Sequence, residues 1–393
     1  MTDSTLHATQ QFIPKIAIIG GGLTGLFTAT LLERAFTNDN ANVAVKSKSV
    51  VPNIVIFEKS RSVGRLATRY CTDSATHQNW QWAFGAQFFT AKSNDFQHFI
   101  KPWLKTGLLQ PWRANVVDLI PSYDAAQTAD IQIKEKWSSA QARYISTPKM
   151  TSWGRVLADE LAHTTIKFKT RVAPLCNEHF IEQNETNSKT ELFDENGNSL
   201  GNFDWVICTA PNAQAVEMMT DSGFKELEKI SRPQMQACYT LMLGWDKEQP
   251  LPATLHTSAT LWDMAYVHDA ALARIFIEHQ KPAHDQLLPS VTIHARNDWS
   301  EQHVDDDIDI VKAQLLQAAQ QALSWNDEST PSQVDCHRWR YAATLKQPDH
   351  EELGILVDEP RQWIVSGDWC GQGNIESCYQ AAKQTVETIH KAL

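Results

Sequence analysis

The sequence predicts an α/β fold in which a parallel-sheet βαβ domain is interleaved along the chain with an α+β domain built on an antiparallel sheet. Three observations predict it. Residues 15–20 are a compact apolar run, followed by glycines and then by Leu23, Leu26, Phe27, Thr30 and Leu31 at helical spacing. Ile54-Val55-Ile56-Phe57 is a second buried run, so the opening reads as strand, glycine turn, helix and parallel strand. Longer alternating runs at 236–245, 274–279 and 290–295 read as antiparallel strands of another domain. A chain of 393 residues also exceeds what one hydrophobic core usually serves. The expected division gives 13–92, 151–214 and 331–393 to the first domain and 93–150 and 215–330 to the second.

In chain order, the polar stretch 38–49 reads as a surface insertion between the first helix and the second strand. Residues 93–150 read as helical and irregular, with Trp103, Trp112 and Trp137. Ser152 is a candidate cap for a helix over 153–162, and 165–172 alternates like a strand. Residues 191–194, the Asn196-Gly197 turn and 203–208 suggest a small antiparallel meander that leads into another buried strand. An amphipathic helix is expected over 306–323. The chain closes with a strand at 363–366, a glycine-containing loop, and a helix whose face is Ile375, Cys378, Ala382, Val386 and Ile389.

Composition removes several functions. A formal net charge of -11 opposes binding to nucleic-acid phosphates and to anionic lipids. The seven cysteines, at 71, 176, 208, 238, 336, 370 and 378, form no CxxC pair and suggest neither a disulfide scaffold nor a zinc site, so they read as reduced thiols of a cytoplasmic protein. The amino terminus lacks the basic and apolar regions of a signal peptide, and no apolar run is long enough to span a bilayer. Fourteen tryptophans suit either a cleft for a flat ligand or plain core filling.

Gly20-Gly21-Gly22-Leu23-Thr24-Gly25 fits G-x-G-x-x-G between strand and helix. Gly20 permits the tight turn, Gly22 lets a pyrophosphate approach backbone N–H groups, and Gly25 lets the helix pack closely. Glu58 ends the second strand, where its carboxylate suits the hydroxyls of an adenosine ribose and repels a 2′-phosphate, which favours FAD or NAD over NADP. The interval between them exceeds the usual ~20 residues, which the polar insertion accounts for. Among Arg61, Arg65 and Arg69, Arg65 follows Gly64 and is the candidate to neutralise the pyrophosphate.

Phe57-Glu58-Lys59-Ser60-Arg61, Gly64-Arg65-Leu66-Ala67-Thr68-Arg69 and Phe84-Gly85-Ala86-Gln87-Phe88-Phe89-Thr90-Ala91-Lys92 together resemble the renalase-like branch of the flavin-containing amine oxidase superfamily. Arg143-Tyr144, Pro148-Lys149-Met150, Trp299-Ser300-Glu301-Gln302-His303, Trp339-Arg340-Tyr341-Ala342 and Gly367-Asp368-Trp369-Cys370 extend the resemblance over nearly the whole chain. It implies a Rossmann-type FAD-binding domain interleaved with a substrate domain, as in the monoamine oxidase and hydroxybenzoate hydroxylase folds. It also implies non-covalent FAD held by Gly20, Gly22, Leu23, Thr24, Gly25, Glu58, Lys59, Arg65, Gln87, Phe88, Val172, Gly367, Asp368, Asn374, Ile375 and Glu376. Asp368 would meet the ribityl chain, and backbone N–H groups near Asn374, Ile375 and Glu376 would face the N1–C2=O edge of the flavin, where a helix amino terminus stabilises developing negative charge.

Two positions depart from the family pattern: only Gly64 precedes Arg65 where two adjacent glycines are usual, and Ala83 stands where an acidic residue is usual. Cys370 lies in a different motif from the cysteine that carries covalent flavin elsewhere in the superfamily, so it reads as unlinked. Gln87, Phe88, Trp339, Tyr341 and Trp369 are the expected walls of a substrate cavity beside the flavin. No Ser-His-Asp set, HExxH motif or P-loop lysine is present, and no general base is named. The expected activity is hydride removal from a C–H next to nitrogen, in a misreduced dihydronicotinamide isomer or an amine, with reoxidation by molecular oxygen. An FAD-dependent aromatic monooxygenase using NAD(P)H and a catalytically silent FAD-binding protein are the alternatives.

Overall fold

A computed structural model describes residues 13–42, 51–61, 64–122, 127–182, 188–255, 262–345 and 352–393. Strand β1 (Lys15–Ile19) lies parallel to β2 (Asn53–Glu58) on one side and to Trp205–Cys208 on the other, with Ile18 opposite both Ile56 and Ile207. Thr164–Phe168 extends this sheet beyond β2, while Trp363–Val365 and the antiparallel Leu356–Asp358 extend it beyond Trp205–Cys208. Strands covered on both faces need apolar side chains at successive positions, which is why KIAII, NIVIFE and WVIC read as unbroken runs. One face is covered by α1 (Leu23–Asn42) and the carboxy-terminal helix Ile375–Ala392, whose Cys378, Ala382, Val386 and Ile389 are buried. The other face meets the three-stranded meander, where Phe57 and Phe203 pack edge-on at 5.8 Å.

The second sheet has seven strands, in the order Gln333–Thr344, Met235–Gly244, Ser290–Ala295, Leu272–Ile277, Met264–Val267, Asn115–Ile120 and Asp130–Lys136. All neighbours are antiparallel except Met264–Val267 with Asn115–Ile120. The helix Ile308–Leu323 covers it with Val311, Leu315, Ala319, Ala322 and Leu323, and starts where the Asp307 carboxylate accepts from Asp309 N at 2.8 Å. Gln333–Thr344, assigned by sequence to the first domain, thus hydrogen-bonds into this second sheet.

Several local expectations are corrected. Residues 38–42 continue α1, and 43–50 lie outside the described residues. The region 93–150 holds one long helix, Asn94–Lys105, and is otherwise largely strand. There NVVDLI is drawn into the seven-stranded sheet with Val116, Val117 and Leu119 buried, while DIQIKEK forms its exposed edge. The helix expected over 153–162 spans Met150–Asp159, and Ser152 sits inside its first turn with Oγ accepting from Lys149 N at 3.3 Å. The strand expected over 165–172 ends at Phe168. No helix among the described residues is long and apolar enough to cross a membrane.

Tryptophan serves the core. All but Trp299 and Trp339 are buried, and Phe27, Phe89, Phe96, Phe99, Trp103 and Trp153 form one aromatic cluster in which Phe89 and Trp153 stack at 5.1 Å. Trp153→Ala is therefore expected to cost about 3–5 kcal/mol. Urea denaturation followed by circular dichroism checks this, with Tyr70→Ala at a 57% exposed position as a comparator that barely shifts the midpoint.

Candidate functional site

The cleft begins where β1 meets α1. Gly20 adopts φ +116°, its N–H donates to Phe57 O at 2.9 Å, and its carbonyl accepts from the Thr209 hydroxyl at 3.0 Å. A Cβ on Gly25 would lie 2.1 Å from Gly20 O, so only glycine lets α1 approach this closely. A Cβ on Gly22 would meet nothing within 4 Å, because this glycine faces open space. Thr24 is buried and Leu23 half-buried at the start of α1, whose first turn holds no acidic residue, so the positive end of its dipole faces the same opening.

Glu58 is 8% exposed. Its Oε2 accepts from Gly21 N and its Oε1 from Ser60 N, both at 2.7 Å, so the carboxylate braces the turn while each oxygen keeps a further lone pair. Lys59 points outward to Gln214 Oε1 at 3.0 Å. Val172 is packed in the core with Phe57, two residues past Thr170, whose N–H donates to Glu58 O.

Gly64, at φ +55°, rests on Gly22: its Cβ would lie 3.1 Å from Gly22 Cα. That contact carries Arg65 across the turn to Asp368, where guanidinium and carboxylate pair at 2.6 Å. Burial pulls the Arg65 guanidinium down, but Asp368 outweighs it and holds the group above its ordinary value. The two residues that the sequence placed separately, on pyrophosphate and on ribityl chain, are thus neighbours. Arg61 is exposed, and Arg69 pairs with Asp335 over the Phe84 ring.

Gly367 leads into Asp368 on extended backbone, and the closing helix starts at Asn374, whose Oδ1 accepts from Ser377 N at 2.9 Å. Ile375 is half-buried. Glu376 turns away from the helix end: its carboxylate accepts from Lys92 N at 2.8 Å and Ser93 N at 2.7 Å, which leaves its backbone, not its side chain, to meet a ligand. Among the described residues the buried Thr344 hydroxyl has no hydrogen-bond partner, and it lies against Gly373, where a Cβ would stand 2.6 Å away. An open Gly22, a helix amino terminus and an unpaired buried hydroxyl fit an anionic, hydroxyl-bearing cofactor.

The expected cavity walls divide. Trp339 stacks on Phe84 at 5.5 Å and donates from Nε1 to Phe84 O at 2.8 Å, with His337 edge-on to both. Phe88 packs on Trp137 at 4.8 Å, and Tyr341 lines a cavity of about 360 Å3 with Asn212, Gln236, Glu301 and Leu345. Trp369 is packed in the core, 0% exposed, with Nε1 donating to Ala210 O. Gln87 is likewise turned inward, 4% exposed, with its carboxamide engaged by Lys281, Ala83 and His294. Cys370 is a buried free cysteine whose thiol burial pushes well up, which keeps it protonated.

Sequence reasoning missed Thr209, Thr344 and the Glu278–Lys281 pair beneath Gln87. Polar residues next to apolar runs carry no sign of burial in a single sequence. Ala83, where the resemblance implies an acidic residue, has its N–H against Glu278 Oε1 at 3.3 Å, so a carboxylate reaches this place from the short turn that follows Leu272–Ile277.

Solved structures match the chain along its length. A protein from Exiguobacterium sp. 255-15 described as a protoporphyrinogen oxidase aligns at TM-score 0.67 and 14% identity, over 97% of this chain and 99% of that one. Cyclohexylamine oxidase from Brevibacterium oxydans IH-35A aligns at 0.65 and 11%, again over 97% and 99%. A putrescine oxidase solved with putrescine aligns at 0.63 and 9%, with the same coverage. The chain therefore shares the overall fold of these three oxidases. No protein-family model matches the chain.

His294 supplies a test of the interior beside the cleft. Burial first, then Arg274 and Lys281, push its imidazole down to about 3. Folded, it stays neutral; unfolded, it takes a proton near its ordinary ~6.5, so stability falls as pH drops below that value and the loss continues toward 3. His279 and His337 are lowered in the same direction. His294→Asn is expected to flatten the loss by up to about 1.4 kcal/mol per pH unit between pH 6 and 4. Urea midpoints over that range decide it, and equal slopes in variant and parent would mean that native His294 is charged.

Proposed function

We propose that the protein is an FAD-dependent oxidoreductase that removes a hydride from a C–H next to nitrogen, in an amine or an isomeric dihydronicotinamide, and belongs to the renalase-like branch of the amine oxidase superfamily. The observation that carries the reading is the open Gly22 at the head of α1, with the Arg65–Asp368 pair brought over it by Gly64. The residues present fit FAD. Gly22 and the amides that open α1 would hold the pyrophosphate, Glu58 the adenosine ribose, and Asp368 the ribityl hydroxyls. The backbone at Asn374, Ile375 and Glu376 would face the flavin's N1–O2 edge.

FAD bound there supplies a two-electron acceptor that is restored by oxygen with release of hydrogen peroxide. The chain's own residues supply binding and exclusion of water. Phe84, Phe88, Trp339 and Tyr341 would present aromatic faces to a flat or cationic donor, and the lowered His337 adds a neutral ring to that wall. The names of the similar enzymes support an amine; the quoted sequence motifs support a dihydronicotinamide. Both present a C–H whose loss as hydride leaves a nitrogen-stabilised cation.

Anaerobic mixing of the protein with isomeric dihydronicotinamides and with cyclic and linear amines should bleach the flavin with at least one class, and air should restore the colour and yield peroxide. Rapid bleaching by ordinary NADPH, with no response to either class, would overturn the reading. Gly22→Val should fold, since nothing occupies the space its Cβ enters, yet lose FAD, because that space is where the pyrophosphate would lie. Equilibrium dialysis against FAD together with a melting curve separates the two effects.

A further inference from the structure

Outside the cleft, Glu278 and Lys281 form an ion pair with 0% and 2% side-chain exposure. Lys281 Nζ donates to both Glu278 oxygens at 2.9 Å and to Gln87 Oε1 at 2.6 Å, so all three ammonium hydrogens have partners. Glu278 Oε1 also accepts from the Thr292 hydroxyl at 2.6 Å and from Ala83 N at 3.3 Å. On the far side of the carboxamide, Gln87 Nε2 donates to Ala83 O and faces His294 Nε2 at 3.4 Å. A neutral imidazole can accept there, so oxygen toward the ammonium and NH2 toward His294 is the one orientation that satisfies every group.

Such a pair is a poor device for stability, because desolvating both charges offsets most of their attraction. Its product is direction. The loop it holds runs straight to the cleft: Ala86 N donates to Arg65 O at 2.9 Å, and a Cβ on Gly85 would lie 1.9 Å from that same carbonyl. A shift at Gln87 is therefore passed to Arg65 and, through its 2.6 Å contact, to Asp368.

We infer that Lys281 is a positioning residue for the reaction: braced by Glu278, it fixes the Gln87 carboxamide and so holds the loop 84–88 in register with the Arg65–Asp368 edge of the cleft. The inference rests on the flavoenzyme reading above. If Lys281 acts through Gln87, removing either should have the same consequence, and removing both should add nothing.

The test is a double-mutant cycle of Lys281→Met and Gln87→Leu in the FAD-loaded protein, read by flavin reduction at saturating donor and by the visible flavin band. Each single variant should slow reduction roughly tenfold to a hundredfold, the scale of an ångström-sized misplacement. Both should shift the flavin band alike, and the double variant should match the singles. Multiplying effects in the double variant, or native rate and band in Lys281→Met, would overturn the inference. Should Lys281→Met strand Glu278 and fail to fold, Glu278→Leu with Lys281→Met removes both charges and answers the same question. A parent protein that binds no FAD fails the flavoenzyme reading instead, so the two failures are distinguishable.

Discussion

The closeness of α1 to the end of β1, with no side chain between Gly25 and the carbonyl of Gly20, sets the position of everything else at the cleft. A Cβ at Gly25 would stand 2.1 Å from that oxygen, so any other residue would push the helix off the strand. With the helix seated, its first amides point past Gly22 into open space. Glu58 reaches back to Gly21, tying β2 to the turn, and Gly64 lies on Gly22, bringing Arg65 to Asp368 from the opposite end of the chain.

The second constraint is the attachment of the seven-stranded sheet to that turn. Its link is the segment from the strand Asn79–Ala83 to Phe88, bonded on one side to the backbone of Arg65 and Ala67 and on the other to Glu278, Lys281 and Thr240. The aromatic face formed by Phe84, His337 and Trp339 stands on this link. The aromatic face and the Arg65–Asp368 edge of the cleft therefore share a backbone, and a shift of one is passed to the other.

What was legible in the sequence is what local chemistry dictates. The glycine turn, both buried strands beside it and the amphipathic closing helix follow from spacing and from residue types that only one geometry tolerates. Residues 93–150 misled because NVVDLI is a strand only by virtue of its partners, and tertiary pairing outweighs a weak local preference. Motif position placed Gln87 and Trp369 near the site but could not say which way their side chains turn; Trp369 is claimed by the core and Gln87 by a lysine almost two hundred residues away. The Arg65–Asp368 pair was invisible for the same reason, since sequence gives two residues but not the contact between them.

The central claim is that the Gly22 opening is a dinucleotide site for FAD. Its most direct test is the absorption spectrum of the purified protein followed by chromatography of whatever denaturation releases. A yellow protein is expected, releasing intact, unlinked FAD and not FMN, which would leave the adenosine end of the site empty. Colourless protein that FAD cannot reconstitute, or release of FMN alone, would contradict it.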